Sequence, residues 1–419
     1  DRGDYKEIAF MATINTNYQK LASGYLFPEI ARRTSIWQKA HPGVPVLRLG
    51  IGNTTEALPE AVCSAMKEKI DSLSDRSTYT GYGDEQGDTY LREALVAYYK
   101  RYGVELESTE FFVSDGAKSD AANIQDIFGE NNIVAIQDPA YPVYVDSNVV
   151  GGRTGRFNKE RGCYDGFVYL ASTEENGFIP EPPKQKVDLI YLCSPNNPTG
   201  AVATYDQLKA FVDYAREHKS VIIFDSAYSE YNTEAGYPRS IYEVEGAKEC
   251  AIEINSFSKF SGFTGVRLGW TIVPKALCCE DAPPAVLNAM WNRRQCTFFN
   301  GASNIAQKGG YAALSGEGYE QSRALVAYYL ENARIIREGL SKVGLTVYGG
   351  VNSPYIWAKT PKGMESWDFF DLLLDTCHVV VTPGSGFGPA GRSYVRVSSY
   401  GHREQVVQAM QMIEENLKI

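Results

Sequence analysis

Five short apolar runs, each ending in its own polar or glycine-rich signature, constrain this chain more than any other feature. FFVS runs into DGAK (115–118), IVAIQ into DPAY (138–141) and LIYLC into SPNNPTG (194–200). SVIIF runs into DSAY (225–228), and CAIEIN into SFSKFSGFTGVRLGW (256–270). Continuous apolar runs of this length read as parallel strands buried on both faces. Helical patterns alternate with them, which predicts an α/β architecture. Residues 204–219 place Leu208, Phe211, Val212 and Ala215 on one helical face. Residues 318–345 read as one long helix with Leu325, Tyr329, Ala333, Ile336 and Leu340 in register. The C-terminal stretch repeats the pattern with Val406, Met410, Ile413 and Leu417. Ligands in open α/β sheets bind beyond the carboxyl ends of the strands. Five differently equipped ends therefore predict one composite site.

The chain's 419 residues exceed one small core, so two domains, or one large and one lesser, are expected. The net charge of −10 argues against nucleic acid as a partner, because phosphate backbones call for a basic face. No apolar run approaches the roughly 20 residues that span a bilayer. The opening DRGDYKEIAF lacks the apolar core of a secretory signal. Its start without methionine leads us to expect a processed or trimmed form. Eight cysteines are scattered without a CxxC pair, and the four histidines lack metal-ligand spacing. A reduced compartment and no metal site are expected, and so few histidines argue against a His-centred hydrolase.

SFSK places Lys259 in an apolar, crowded setting. There the charged form is disfavoured and the free amine can attack a carbonyl, as the imine-forming lysine of pyridoxal phosphate enzymes does. Alone, the same tetrapeptide reads better as a surface lysine with its stem on apolar neighbours. Arg267 offers a planar fork of donors to a phosphate, and Ser256 and Ser258 add hydroxyls from the same turn. DGAK before a helical run exposes the backbone N–H groups of Ala117 and Lys118 to an anion, although a plain helix start looks no different. Asp225 ends the most apolar run. A carboxylate is costly to bury there without a cation, and a protonated pyridine nitrogen is such a cation. Tyr228 and Asn197 can donate to the cofactor's phenolic oxygen, and Tyr141 can stack on its ring. Each of these three also reads as an ordinary turn or core residue. In RSYVRVSSYG, Arg396 shares a strand face with Ser398, as a carboxylate clamp or as an exposed strand arginine. GSGFGPAG (384–391) does not fit G-x-G-x-x-G and is expected to be a flexible turn.

SPNNPTG, DSAY and SFSKFSGFTGVRLGW, in this order and with eight residues from Lys259 to Arg267, resemble the fold-type I pyridoxal phosphate enzymes of the aspartate aminotransferase superfamily. The resemblance covers nearly the whole chain. GYLFPEIARR (24–33), LGIGNTTE (49–56), GYGDEQG (81–87), SDGAK (114–118), FNGAS (299–303) and TPGSGFG (382–388) are similar to the LL-diaminopimelate aminotransferases of plants, algae and some bacteria. The resemblance implies an α/β fold with a large cofactor domain (55–315) carrying a mostly parallel sheet. The small domain is then built from both chain ends, 1–54 and 316–419. It implies that Lys259 is the catalytic lysine and that Asp225, Tyr228, Asn197, Tyr141, Ser256, Ser258, Arg267, Ala117 and Lys118 hold pyridoxal 5′-phosphate. Arg396 takes the substrate α-carboxylate, Gly52 and Asn300 line the substrate site, and Tyr25, Tyr82 and Glu85 reach in from the partner chain of a homodimer. Tyr82 reaches the phosphate.

The implied reaction exchanges an amino group between LL-2,6-diaminopimelate and 2-oxoglutarate, giving tetrahydrodipicolinate and glutamate; lysine synthesis uses the reverse direction. A plastid stroma is implied for a plant or algal source and the cytoplasm otherwise. The segment before Met11 is expected to be a plastid-targeting remnant or an artificial extension. Two alternatives are another aminotransferase or lyase of the same superfamily, and a non-catalytic cofactor-binding regulator. Such regulators carry a DNA-binding module, for which this chain shows neither a spare N-terminal domain nor a basic charge.

Overall fold

The computed structural model describes residues 12–22 and 26–419. Tyr25 and the segment before Met11, both singled out in the sequence, lie outside the described residues. The large sheet contains β1 (Phe111–Ser114), β2 (Val134–Asp138), β3 (Val168–Ala171), β4 (Leu189–Cys193), β5 (Val221–Asp225), β6 (Ala251–Ser256) and β7 (Gly269–Ile272). Their spatial order is β1-β7-β6-β5-β4-β2-β3. Only β7 runs antiparallel to its neighbours, so the other six strands point the same way. The apolar runs alternate between two cores. Val113, Ile190, Leu192, Ile222 and Phe224 pack on one face. Phe112, Ile136, Tyr191, Ile223 and Ile254 pack on the other. Burial on both faces is why these strands read as unbroken apolar sequence.

A second sheet, entirely antiparallel, is formed by β8 (Val347–Gly349), β9 (Tyr355–Lys359), β10 (Thr382–Pro383) and β11 (Tyr394–Ser398) in the order β8-β9-β11-β10. Leu47–Arg48 pairs with Val379–Val380 and brings the N-terminal part of the chain to this side. The helix Leu26–Ala40 adds Leu26, Ile30 and Trp37 to the same core. The helix Gly316–Lys342 bridges the two halves. Val326 and Tyr329 enter the core of the large sheet, while Ala333, Ile336 and Leu340 enter that of the small one. Its buried stripe uses Val326 where the sequence suggested Leu325, which is only half-buried. It stops short of residue 345 because Gly344 turns left-handed at φ 90°.

The helix Tyr205–His218 starts at a reciprocal cap between Thr204 and Gln207 and buries the expected Leu208, Phe211, Val212 and Ala215. The C-terminal helix Arg403–Asn416 buries Val406, Met410 and Ile413. GSGFGPAG differs from expectation. It forms two tight 3₁₀ turns, Gly384–Phe387 and Pro389–Gly391, crossing so closely that a Cβ on Gly384 would lie 2.2 Å from the Gly391 carbonyl oxygen. The DPAY loop is fastened to it, since Ala140 N–H donates to the Phe387 carbonyl at 2.9 Å and Ala390 N–H to the Asp138 carboxylate at 3.2 Å. Packing removes the freedom that its glycine content suggested. Among the described residues, no helix is long and apolar enough to cross a membrane.

Candidate active site

Because β1, β2, β4, β5 and β6 are parallel, Ser114, Asp138, Cys193, Asp225 and Ser256 all end on one edge of the sheet. The signatures that follow them surround a cleft of about 390 Å³ between the two sheets. Ala117 and Lys118 come from the first end, Tyr141 from the second, Asn197 from the third, Asp225 and Tyr228 from the fourth, and Ser256, Ser258 and Lys259 from the fifth. Arg267 closes one side, and Gly52 and Arg396 face them from the small-sheet side. Among the described residues the lining holds four cations, Lys118, Lys259, Arg267 and Arg396, against the single carboxylate of Asp225. Such a cleft suits a ligand with several anionic groups.

Lys259 is held by its own backbone. Tyr231 donates its hydroxyl proton to the Lys259 carbonyl at 3.0 Å, and Tyr400 donates to the Tyr231 oxygen at 2.9 Å. The Lys259 ammonium donates to the Gly52 carbonyl and lies 5.3 Å from the centre of the Tyr400 ring. Desolvation, with the neighbouring Arg396 and Arg267 charges, pushes its pKa down from 10.5 to about 7. Much of the amine is therefore unprotonated and nucleophilic at neutral pH.

Arg267 adopts φ 71°, a left-handed conformation that a long side chain rarely takes. Its guanidinium passes so close to Gly116 that a Cβ there would sit 2.3 Å from Nη2, and Gly116 itself has φ 138°. Nη1 donates to the Thr264 carbonyl at 3.3 Å, while the residue remains exposed to the cleft. Ser256 Oγ accepts from the Ser258 N–H at 2.9 Å, which fixes both serines beside the lysine. This corner offers a cation and two hydroxyls to a phosphate.

Asp225 is 7% exposed. Its Oδ2 accepts from Tyr144 at 2.5 Å and its Oδ1 from Ala227 N–H at 3.0 Å, both neutral donors. Burial raises its pKa. A carboxylate in this position calls for a cation, and a protonated pyridine nitrogen supplies one. Tyr141 stands half-buried at the cleft, edge-on to Tyr144 with ring centres 6.1 Å apart. Lys118 Nζ lies 5.8 Å from its ring centre.

Arg396 is 2% exposed, so the alternative of a solvated strand arginine does not hold. It pairs across the sheet with Trp357, and its guanidinium lies 4.3 Å from the centre of the diagonal Tyr355 ring. Nη1 donates to Asn197 Oδ1 and Nη2 to the Gly50 carbonyl, each at 2.7 Å. Nε is buried with no partner among the described residues. Two directed bonds hold the fork while donors stay free, as a carboxylate clamp requires. Taken together, the unpartnered Arg396 donor, the buried Asp225 carboxylate and the Arg267 corner fit the three polar ends of a pyridoxal phosphate carrying an amino-acid substrate.

Tyr82, Glu85 and Asn300 lie elsewhere. Tyr82 is 88% exposed, in a surface groove that also contains Asn300. Asn300 therefore stands away from the cleft of its own chain. The helix Val286–Phe298 ends before it, and the loop beyond packs on residues 80–89 instead, with Gly301 against the Asp84 carbonyl. Tyr144, Cys193 and Tyr355 line the cleft without having been singled out from the sequence. Tyr144 sits one helical turn beyond Tyr141, a spacing that could have pointed to it. Tyr355 depends on cross-strand register, which no local pattern reveals.

Residues 44–413 match the family model described as aminotransferase class I and II. L,L-diaminopimelate aminotransferase from Chlamydomonas reinhardtii superposes with a TM-score of 0.91 at 46% identity, covering 97% of this chain and 99% of that one. A substrate-bound BacF structure from Bacillus subtilis follows at TM-score 0.81 and 27% identity, covering 97% and 98%. An aromatic aminotransferase from Pyrococcus horikoshii gives 0.77 and 27%, covering 91% and 98%. With the lysine and the buried carboxylate at the strand ends of the large sheet and the arginine clamp facing them from the small one, this chain belongs to the class I and II aminotransferases, a family of pyridoxal-phosphate-dependent enzymes.

Proposed function

We propose that this aminotransferase exchanges an amino group between LL-2,6-diaminopimelate and 2-oxoglutarate. The observation that carries the reading is 46% identity, over 97% of the chain, to a protein named for that substrate. When bound, pyridoxal phosphate supplies an electron sink for negative charge at the substrate Cα. Lys259 would hold the cofactor through its amine, and once the substrate's amine displaced it, the freed neutral amine would take the proton from the substrate Cα. Asp225 keeps the pyridine nitrogen protonated. Tyr228 and Asn197 address the phenolic oxygen, and Tyr141 covers the ring. Arg267, Ser256, Ser258 and the backbone of Ala117 and Lys118 hold the phosphate. Arg396 grips the α-carboxylate that the amino acid and the oxo acid share, and the small Gly52 leaves room beside Lys259.

The distal end of diaminopimelate carries both an ammonium and a carboxylate, whereas 2-oxoglutarate carries only the carboxylate. Lys118 and Asn300 suit the shared carboxylate and Glu85 the additional ammonium, with Tyr82 reaching the phosphate. Asn300, Glu85, Tyr82 and Tyr25 take these roles from a second copy in a homodimer. Tyr82 at 88% exposure and Tyr79 at 64% share one groove and support such a partner, since large apolar groups grouped at a surface mark an interface. A panel of amino donors with 2-oxoglutarate tests the reading. LL-diaminopimelate should give the highest kcat/KM, and Glu85→Gln should slow it far more than glutamate. Preferential turnover of aspartate or aromatic amino acids, or equal turnover of the LL and meso isomers, would contradict it.

A further inference from the structure

Tyr355 touches three parts of the cleft from one buried position. It begins β9 and is 1% exposed. Its ring lies under the Arg396 guanidinium at 4.3 Å, and its hydroxyl oxygen is 2.8 Å from that of Tyr228. That hydroxyl also sits where a side chain at residue 52 would begin, 2.5 Å from the position of a Gly52 Cβ. Burial raises the pKa of both phenols, so the pair is neutral and carries two protons. One proton lies between the two oxygens and the other points away. Both phenols line the cleft, and Arg396, which offers only donors, lies near each. The cofactor's phenolic oxygen calls for the Tyr228 proton, which leaves the Tyr355 proton for the Tyr228 oxygen.

We infer that Tyr355 is a positioning residue which donates its proton to the Tyr228 oxygen and so turns the Tyr228 proton toward the cofactor's phenolic oxygen. This rests on the placement of Tyr228 beside that oxygen, given above. A phenol that accepts one hydrogen bond donates a stronger one, because successive bonds polarise each other. Tyr355 would strengthen stabilisation of the cofactor phenolate without touching the cofactor. Its ring has a second use as the flat support beneath the carboxylate clamp.

The two roles separate by substitution in the cofactor-loaded enzyme. Tyr355→Phe keeps the ring and removes the hydroxyl. The pH midpoint of the visible absorbance of the lysine-bound cofactor should rise by about 0.5, as expected for losing part of a charge-assisted bond. The KM for 2-oxoglutarate should stay near that of the unaltered enzyme. Tyr228→Phe should raise the midpoint further, and the double variant should match Tyr228→Phe alone, because Tyr355 acts through Tyr228. Tyr355→Leu, which removes the ring, should raise the KM for 2-oxoglutarate severalfold. An unchanged midpoint in Tyr355→Phe beside a shifted one in Tyr228→Phe would overturn the relay and leave the cofactor placement standing. Additive shifts in the double variant would overturn it as well. No shift in either single variant would overturn both the relay and the placement of Tyr228.

Discussion

Lys259 is kept where water is scarce, beside two arginines, and that arrangement has a measurable consequence in the cofactor-free protein. Its folded pKa of about 7 lies below the ordinary 10.5. Between these values the unfolded chain binds the extra proton, so stability rises with pH across that window. Below pH 7 both states hold the proton and the folded state bears the whole penalty, on the order of a few kcal/mol. Lys259→Met should therefore raise the melting temperature of the apoenzyme at pH 6 to 7, with the gain disappearing as the pH approaches 10.5. A constant gain across that range would show that the amine is not desolvated as described. The second residue-scale consequence concerns Arg396. Arg396→Ala leaves any bound α-carboxylate without its fork, at a cost of about 2–5 kcal/mol in kcat/KM. Amino acid and oxo acid should suffer alike, and steady-state kinetics with both would reveal a loss confined to one. The same variant removes a cation from beside Lys259, so apoenzyme capture of pyridoxal phosphate should need a higher pH.

The strand ends decide which residues meet. Gly116, at the turn after β1, combines φ 138° with a guanidinium where its Cβ would be. Gly116→Ala must therefore displace Arg267, and it should weaken cofactor binding at least 10-fold, by the loss of roughly one charge-assisted bond. Titration of the apoenzyme with pyridoxal phosphate would check this, and unchanged affinity would mean that Arg267 does not serve the phosphate. Strand identity was legible because burial on both faces leaves mostly apolar residues. The convergence of DGAK, DPAY, SPNNPTG, DSAY and SFSK was legible because parallel strands end together. Arg396 could be found but not weighed, since one strand arginine reads alike in water or in a core. Tyr355 and Tyr144 escaped notice because their importance lies in what they touch across sheets and helices far apart in sequence. GSGFGPAG misled for a related reason: glycine permits flexibility, but here it permits close crossing of two turns.

At the scale of the whole molecule, one chain supplies the lysine, the buried carboxylate and the clamp, while Tyr82 and Asn300 are exposed and the half-buried Glu85 lies outside the cleft of its own chain. If a second copy completes each site, Lys259→Ala and Tyr82→Ala chains, each inactive alone, should complement when unfolded together and refolded. Random pairing leaves one intact site in half of the dimers, so activity should return to roughly a quarter of the unaltered level. Absence of any recovery would place Tyr82 outside the reacting centre. The long helix Gly316–Lys342 joins the sheet that carries Lys259 to the half that carries Arg396, so both depend on one rigid connection. The most direct test of the account returns to the cleft. Borohydride reduction of the cofactor-loaded enzyme, followed by peptide mass spectrometry, should find the pyridoxyl group on Lys259 and nowhere else, whereas a label on Lys118 or any other lysine would contradict the assignment.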